Sequence, residues 1–114
     1  MTKIIDWKIK VINWKTEEVI IEGEIISFKH LVETAVEDGI SLAYANLKNA
    51  YLDGAYLDGA DLRGADFTNA YLNDVDLTGA DFTGANFSNA YLRGIKINKD
   101  QIDDLLKVLG VKII

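Results

Sequence analysis

A period of five residues runs through this chain from Ile40 to Lys99, and it limits the fold more than any other feature. In the middle, Ala60-Asp61-Leu62-Arg63-Gly64 is followed by Ala65-Asp66-Phe67-Thr68-Asn69 and then by Ala70-Tyr71-Leu72-Asn73-Asp74. A small residue leads, a polar or aromatic one follows, then Leu or Phe, then two polar or Gly positions. The centres are Leu42, Leu47, Leu52, Leu57, Leu62, Phe67, Leu72, Leu77, Phe82, Phe87, Leu92 and Ile97. Ala stands two before each, except at Ile40, Val75 and Ile95. A helix needs apolar residues at i, i+3, i+4 and i+7. A strand alternates with period two. Neither fits. A short extended piece followed by a bend, repeated, does fit, with the centre and the small residue pointing in. Gly at the last position, as at Gly54, Gly59, Gly64, Gly79, Gly84 and Gly94, suits a corner that needs permissive dihedrals.

Twelve such units in register resemble the pentapeptide-repeat family, whose pattern is Ala-(Asp/Asn)-Leu-X-X. The resemblance implies an all-β solenoid: a right-handed quadrilateral β-helix with four units, or 20 residues, per coil, hence about three coils. The chain carries its own mark of a 20-residue return. Tyr51, Tyr71 and Tyr91 stand 20 apart, each just before a centre, and so do Asn49, Asn69 and Asn89 at corners. Stacked at about 4.8 Å, each set becomes a ladder. The tyrosines then form one face and the asparagines the corner leading into it.

The flanks read as closures for such a tube. Residues 7–25 read as a β-hairpin, from Trp7-Lys8-Ile9-Lys10-Val11-Ile12 to Val19-Ile20-Ile21-Glu22, with the turn at Asn13–Glu17 and Gly23-Glu24 interrupting or ending the second strand. Ser27 reads as an N-cap. Phe28, Leu31, Val32, Ala35 and Val36 give one helical face over 28–38, and Gly39 stops it. The natural seat of this helix is the open end of the tube, which otherwise shows a hydrophobic bore and unpaired edges. At the far end Asn98 and Gln101 make a capping box. Ile102, Leu105, Leu106 and Leu109 give the helical face, Gly110 ends it, and Val111–Ile114 reads as a short strand. The chain thus divides into hairpin and capping helix at 1–39, repeats at 40–99, and a capping helix with short strand at 100–114. This layout resembles small pentapeptide-repeat proteins of bacteriophages and prophages, through Glu18-Val19-Ile20-Ile21-Glu22-Gly23-Glu24 and Leu31-Val32-Glu33-Thr34-Ala35-Val36.

Composition narrows the chemistry. At 114 residues, 49% apolar and 26% charged, one globular domain is expected. With no Cys there is no disulfide, zinc thiolate or thiol nucleophile. The start has no apolar run of signal-peptide length, and no segment approaches the roughly 18 apolar residues of a membrane span. Together these lead us to expect the cytoplasm of a bacterial host and no membrane partner. The net charge of −6 opposes direct nucleic-acid binding. The single His30 lies between apolar helix positions, leaving no base for a hydrolytic triad. Asp61 and Asp81 should stack on one face with Ser41, repelling unless a cation or Arg63 intervenes. Calcium wants six to eight oxygens, so no metal and no cofactor is expected. The spaced glycines lack the Lys-Ser/Thr of a phosphate loop. A convex tube implies no pocket for catalysis, so no enzyme is expected.

Two functions remain. The first is a non-catalytic interaction or structural module acting on a protein partner through its outer faces. Its candidate contacts are Tyr51, Tyr71 and Tyr91, since Tyr gives amphipathic area at low entropy cost, and Trp14 at the hairpin tip. A homodimer through an end cap or the Tyr strip is a further candidate. The alternative is an acidic DNA mimic that inhibits a DNA-binding enzyme such as gyrase or a host defence nuclease, since some members of the resembled family act so. Its candidate surface is Asp61, Asp66 and Asp81. Residues 40–99 hold seven acids (Asp53, Asp58, Asp61, Asp66, Asp74, Asp76, Asp81) against five bases (Lys48, Arg63, Arg93, Lys96, Lys99), a balance of only −2. A mimic needs acids continuous along a face. A tyrosine module needs an exposed strip of low charge.

Overall fold

Residues 8–24, 27–112 and 114 are described by the computed structural model. Two strands come first, β1 (Lys8–Ile12) and β2 (Val19–Glu24), then α1 (Phe28–Glu37), then the repeats, a 3-10 turn at Lys99–Gln101, and α2 (Ile102–Val108).

The repeats return on themselves every 20 residues. Parallel bridges join Asn46 to Asp66, Tyr51 to Tyr71, Tyr56 to Asp76 and Asp61 to Asp81, and continue from Asp66 to Asn86, Tyr71 to Tyr91 and Asp76 to Lys96. Each rung has two bonds. The Leu52 amide donates to the Tyr71 carbonyl at 2.8 Å, and the Tyr71 amide donates to the Ala50 carbonyl at 2.8 Å. Between rungs the chain bends. The Ala55 amide donates to the Leu52 carbonyl at 2.9 Å, closing a four-residue turn with Gly54 at φ 73°. A positive φ at the third residue is what a type II turn demands. Where Gly is absent, Asn49, Asn69, Asp74 and Asn89 adopt φ near 60°, as short polar side chains tolerate. The repeat therefore follows from turn chemistry every five residues.

The bends turn the centres and the small residues inward. Leu42 to Phe87 are buried at every centre, and Ala45 to Ala85 at the inward small positions, with Val75 among them. The bore is less well covered toward the C-terminal end, where Ala90, Leu92, Ile95 and Ile97 are only partly buried.

The N-terminal flank follows the reading of the sequence with two adjustments. β1 and β2 pair antiparallel, and Ile20 is left as an extra residue where the register shifts between Val11 and Ile12. Gly23 pairs with Ile9, so it does not interrupt β2. Trp7 and Ile25, at the limits of the expected hairpin, lie outside the described residues. Asn13 makes the turn through its side chain, accepting from the Lys15 and Thr16 amides at 2.8 and 3.0 Å. The hairpin then lies on the tube edge: Asn13 bridges Ala45, the Asn46 amide donates to the Ile12 carbonyl, and the Trp14 amide to the Tyr44 carbonyl. In α1 the Ser27 hydroxyl accepts from the His30 amide at 3.1 Å, and Gly39 follows the helix at φ 71°. Val32 and Ala35 are buried, and the Glu33 carboxylate accepts from the Tyr56 amide at 2.8 Å. Farther along the tube, the Asp76 amide bonds the carbonyl 21 residues back. At Tyr56 a side chain replaces that carbonyl.

The C-terminal flank departs from expectation. The buried residue is Gln101, 6% exposed, and the apolar residues against the core are Leu105 and Val108. Ile102 and Leu109, expected on the inward face, are exposed, while Leu106 is half-buried. The inward face is rotated because the buried Gln101 bonds to the backbone at the tube end. Its side chain accepts from the Asn98 amide at 2.6 Å and the Gly79 amide at 3.0 Å. It donates to the carbonyls of Leu77 at 2.7 Å and Ala80 at 2.9 Å. One side-chain amide thus supplies bonds that a further coil would make. The expected strand at 111–114 does not form at Val111, Lys112 or Ile114, and Ile113 lies outside the described residues. The Val111 amide instead donates to the Leu106 carbonyl at 2.8 Å, closing the end of α2.

Candidate functional site

Residues that precede a centre point outward, because the centre and the small residue beside it point in. Twenty-residue stacking sorts them into columns. One column is Tyr51, Tyr71 and Tyr91, with ring centroids 4.6 and 4.8 Å apart and successive planes tilted by 41°. Tyr51 and Tyr91 are 71% and 53% exposed, and Tyr71, flanked on both sides, is half-buried. Its phenol is pushed above the ordinary value, first by Tyr51, then by Tyr91 and by burial. Beside this column run Asn49, Asn69 and Asn89, held outward by their positive φ. Buried Ala50 and Ala70 lie between the two rows. The result is a shallow groove of about 440 Å³ lined by these six Tyr and Asn residues. Its far rim is a ladder in which the Asp53 carboxylate accepts from the Asn73 amide and the Asn73 side chain accepts from the Arg93 amide.

The acids do not gather on one face. The column Ser41, Asp61, Asp81 is joined by Arg63. Its Nε and Nη2 each donate to the Asp61 carboxylate at 2.7 Å, and the Ser41 hydroxyl donates at 2.6 Å. Arg63 foremost holds the Asp61 carboxyl well below the usual carboxylate range, with Ser41 adding to it. Asp81 accepts from the Thr83 hydroxyl at 2.7 Å and amide at 3.1 Å. Asp66 stands between Asn46 and Asn86, accepts from the Thr68 amide and hydroxyl, and lies 3.8 Å from Lys48 Nζ. Asp76, its carboxyl lowered by the Thr78 hydroxyl and amide, stands between Tyr56 and Lys96. Among the described residues no three carboxylate or imidazole groups come together as metal ligands would. The Asp61 pair also sets a pH dependence. Its folded-state pKa is lowered, so its stabilisation is present above the ordinary aspartate value of 3.8 and is lost as pH falls through the folded value. Because Arg63 is half-exposed, solvent screening keeps the gain small. Asp61→Asn should lose that gain at pH 7, and its gap to the parent in urea denaturation should narrow as pH falls below about 3.8.

Trp14 is half-exposed at the hairpin tip, yet anchored. Its Nε1 donates to the Gly64 carbonyl at 2.8 Å, and its ring meets Tyr44 edge-on at 5.7 Å. Lys15 Nζ sits 4.8 Å from the Tyr44 ring centroid. Tyr44 occupies a corner at φ 61°, a conformation unfavourable for a bulky residue. Its ring covers Gly64, where an added Cβ would collide with Tyr44 Cε1 and Cδ1. Gly64→Ala should therefore combine left-handed strain with displacement of Tyr44, costing about 2 kcal/mol. The Trp14 emission should shift red at once, since the indole loses its seat. Gly64 was read as a corner glycine, but Tyr44 escaped the sequence reading, although an aromatic at a corner position otherwise held by Gly or Asn was a visible signal. Tyr56, 66% exposed, was also missed. At the opposite end Ile102, Leu109 and Val111 expose apolar surface on and after α2.

Comparisons place these features among known proteins. The family model described as pentapeptide repeats (8 copies) matches residues 40–79 and 60–98. Among solved structures, a pentapeptide repeat protein (Rfr23) from the cyanobacterium Cyanothece 51142 is 40% identical over 53% of this chain and 41% of its own, with a TM-score of 0.51. QnrB1, a plasmid-mediated fluoroquinolone resistance protein, is 26% identical over 65% of this chain and 44% of its own, with a TM-score of 0.39. The chain thus spans less than half the length of either. No curated protein matches it.

Proposed function

The chain belongs to the pentapeptide-repeat family, whose fold is a right-handed β-helix, and on that premise we propose that it is a non-catalytic interaction module that binds a protein partner through the Tyr51, Tyr71, Tyr91 strip. In this reading the tube is a quadrilateral β-helix of about three coils. The hairpin and α1 close one end and α2 the other. The module is of the kind carried by phages and prophages and works in the cytoplasm of a bacterial host.

One observation carries the reading. The tyrosine column is continuous along the tube, exposed, and without a formal charge among the six residues that line its groove. An exposed strip of large rings stands out against a surface where single apolar residues are ordinary. The acids support the module over a DNA mimic, because each acidic column is interrupted by Ser, Asn, Tyr or Lys, and Arg63 and Lys48 lie against it. Duplex DNA carries a charge about every 1.7 Å of axis without such interruptions.

Capture from bacterial lysate on immobilised protein tests the proposal. Partners held by the parent should be lost with Tyr71→Ala and retained with Asp66→Lys. The reverse pattern, together with inhibition of gyrase supercoiling by the parent, would replace the module by the mimic.

A further inference from the structure

We infer that the groove between the phenol and amide rows is a seat for a proline-rich segment in the polyproline II conformation. The inference rests on the tyrosine strip being the working surface, and names the class of peptide it takes.

Period is the first argument. The centroid steps of 4.6 and 4.8 Å along the tyrosines together make about 9.4 Å. Polyproline II has three residues per turn and a rise of about 3.1 Å, hence about 9.3 Å per turn. Residues i and i+3 of such a segment therefore meet Tyr51 and Tyr91 in equivalent positions. An α-helix repeats at about 5.4 Å and so falls out of step with the rings. A strand repeats its side chains at about 6.8 Å and does the same.

Bonding is the second argument. The backbone beneath the groove is already used, since the Tyr71 amide donates to the Ala50 carbonyl and the Leu72 amide to the Tyr91 carbonyl. A ligand here finds no strand edge to extend, so it must be recognised by side chains. The groove walls offer phenol hydroxyls and side-chain amides. The Asn49, Asn69 and Asn89 side-chain amides line the groove from exposed corner positions. Polyproline II is the complement: its backbone makes no internal hydrogen bonds, and proline has carbonyls but no N–H.

Shape and charge are the third. Aromatic rings form one wall of the groove and side-chain amides the other. Pyrrolidine rings pack on the tyrosines while carbonyls face the amides, the arrangement by which aromatic-lined grooves take proline-rich segments. A β-linked glycan would need flat aromatic platforms, whereas these ring planes tilt by 41° from one to the next.

The test is a titration of the isotopically labelled full chain with acetylated, amidated decaproline, followed by NMR. The Tyr51, Tyr71 and Tyr91 rings and the Asn49, Asn69 and Asn89 side-chain amides should shift together, saturating with Kd on the order of 10⁻⁴ M. Tyr71→Ala should weaken binding about tenfold or more, as loss of a central aromatic contact does. Asn69→Gly should weaken it several-fold while keeping the fold, because Gly holds the same positive φ at other corners. A Gly/Ser decapeptide should produce no shift. The inference is overturned if decaproline leaves these resonances unmoved at millimolar concentration, if Tyr71→Ala binds like the parent, or if chitohexaose shifts the rings and decaproline does not. Should decaproline fail while lysate capture still depends on Tyr71, the peptide class falls and the interaction strip stands. Should neither depend on Tyr71, both fall.

Discussion

Replacing Gln101 with Leu is expected to lower the unfolding free energy by about 2 kcal/mol, because the buried Ala80 carbonyl loses its donor while the Leu77 carbonyl keeps only the Ala80 amide. Leu77 and Ala80 are 1% and 6% exposed, and both carbonyls accept from Gln101 Nε2. Leu matches the volume but brings no N–H. The Gly79 amide, exposed at the corner, recovers a partner in water and adds little. Urea denaturation followed by circular dichroism measures the loss, and a change below about 1 kcal/mol would contradict the account. Gln101→Glu sharpens it. At neutral pH a carboxylate would face two carbonyls, so the folded-state pKa of the new acid is raised. The resulting cost is absent below the unfolded value of about 4.3 and grows as pH rises through the folded value. Stability of Gln101→Glu should therefore recover on acidification, against the trend of the parent.

Phe67→Ala should cost about 4 kcal/mol, the range for deleting a fully buried aromatic ring. The Phe67 ring lies at the middle of the bore, stacked on Phe87 at 5.1 Å with planes 2° from parallel, and Phe87 in turn meets Phe82 edge-on at 6.1 Å. In a solenoid each coil is its neighbour's core, so the cavity should act on the adjacent coil before the whole. Hydrogen exchange should rise first at amides C-terminal to residue 82, where the bore is already less well covered. Phe82→Leu, which removes less volume and leaves the stack in place, should cost under about 1.5 kcal/mol. Equal losses for the two variants would show that the stacked pair has no special part in the core.

The residues that locate the candidate strip were readable before any coordinates. Tyr51, Tyr71 and Tyr91 had to share a face once a 20-residue return was accepted, and the bridges join them in that order. The groove was not readable as such. It depends on Asn49, Asn69 and Asn89 standing off the tube at positive φ while alanines lie between. Nor could the sequence say which of two outcomes awaited Asp61 and Asp81. The carboxylates stack as expected, and Arg63, two residues from Asp61, reaches back to it with both nitrogens.

The flanks were legible in kind, and the inward face was misread only in α2. Ser27, Gly39 and Gly110 marked helix limits correctly, because capping involves residues within one turn. The inward face of α2 was assigned from apolar spacing alone, which favoured Ile102 and Leu109. What turned the helix was the row of unpaired groups at the tube end, satisfied by the Gln101 amide. The same cause explains Glu33, whose carboxylate meets the Tyr56 amide. Trp14 was expected as a contact, and it is half-exposed while its ring is anchored to Gly64.

What the amino-acid order determined by itself is the corner every five residues and the return every twenty. Both arise from turn preferences and inward–outward alternation within a few positions. What only the tertiary structure decided is how the tube ends and how the hairpin is held. Those contacts join Gln101 to Leu77, Glu33 to Tyr56 and Trp14 to Gly64, residues 23 to 50 positions apart. They form because an exposed backbone edge must find a hydrogen-bonding partner, and such an edge exists only once the coils are stacked.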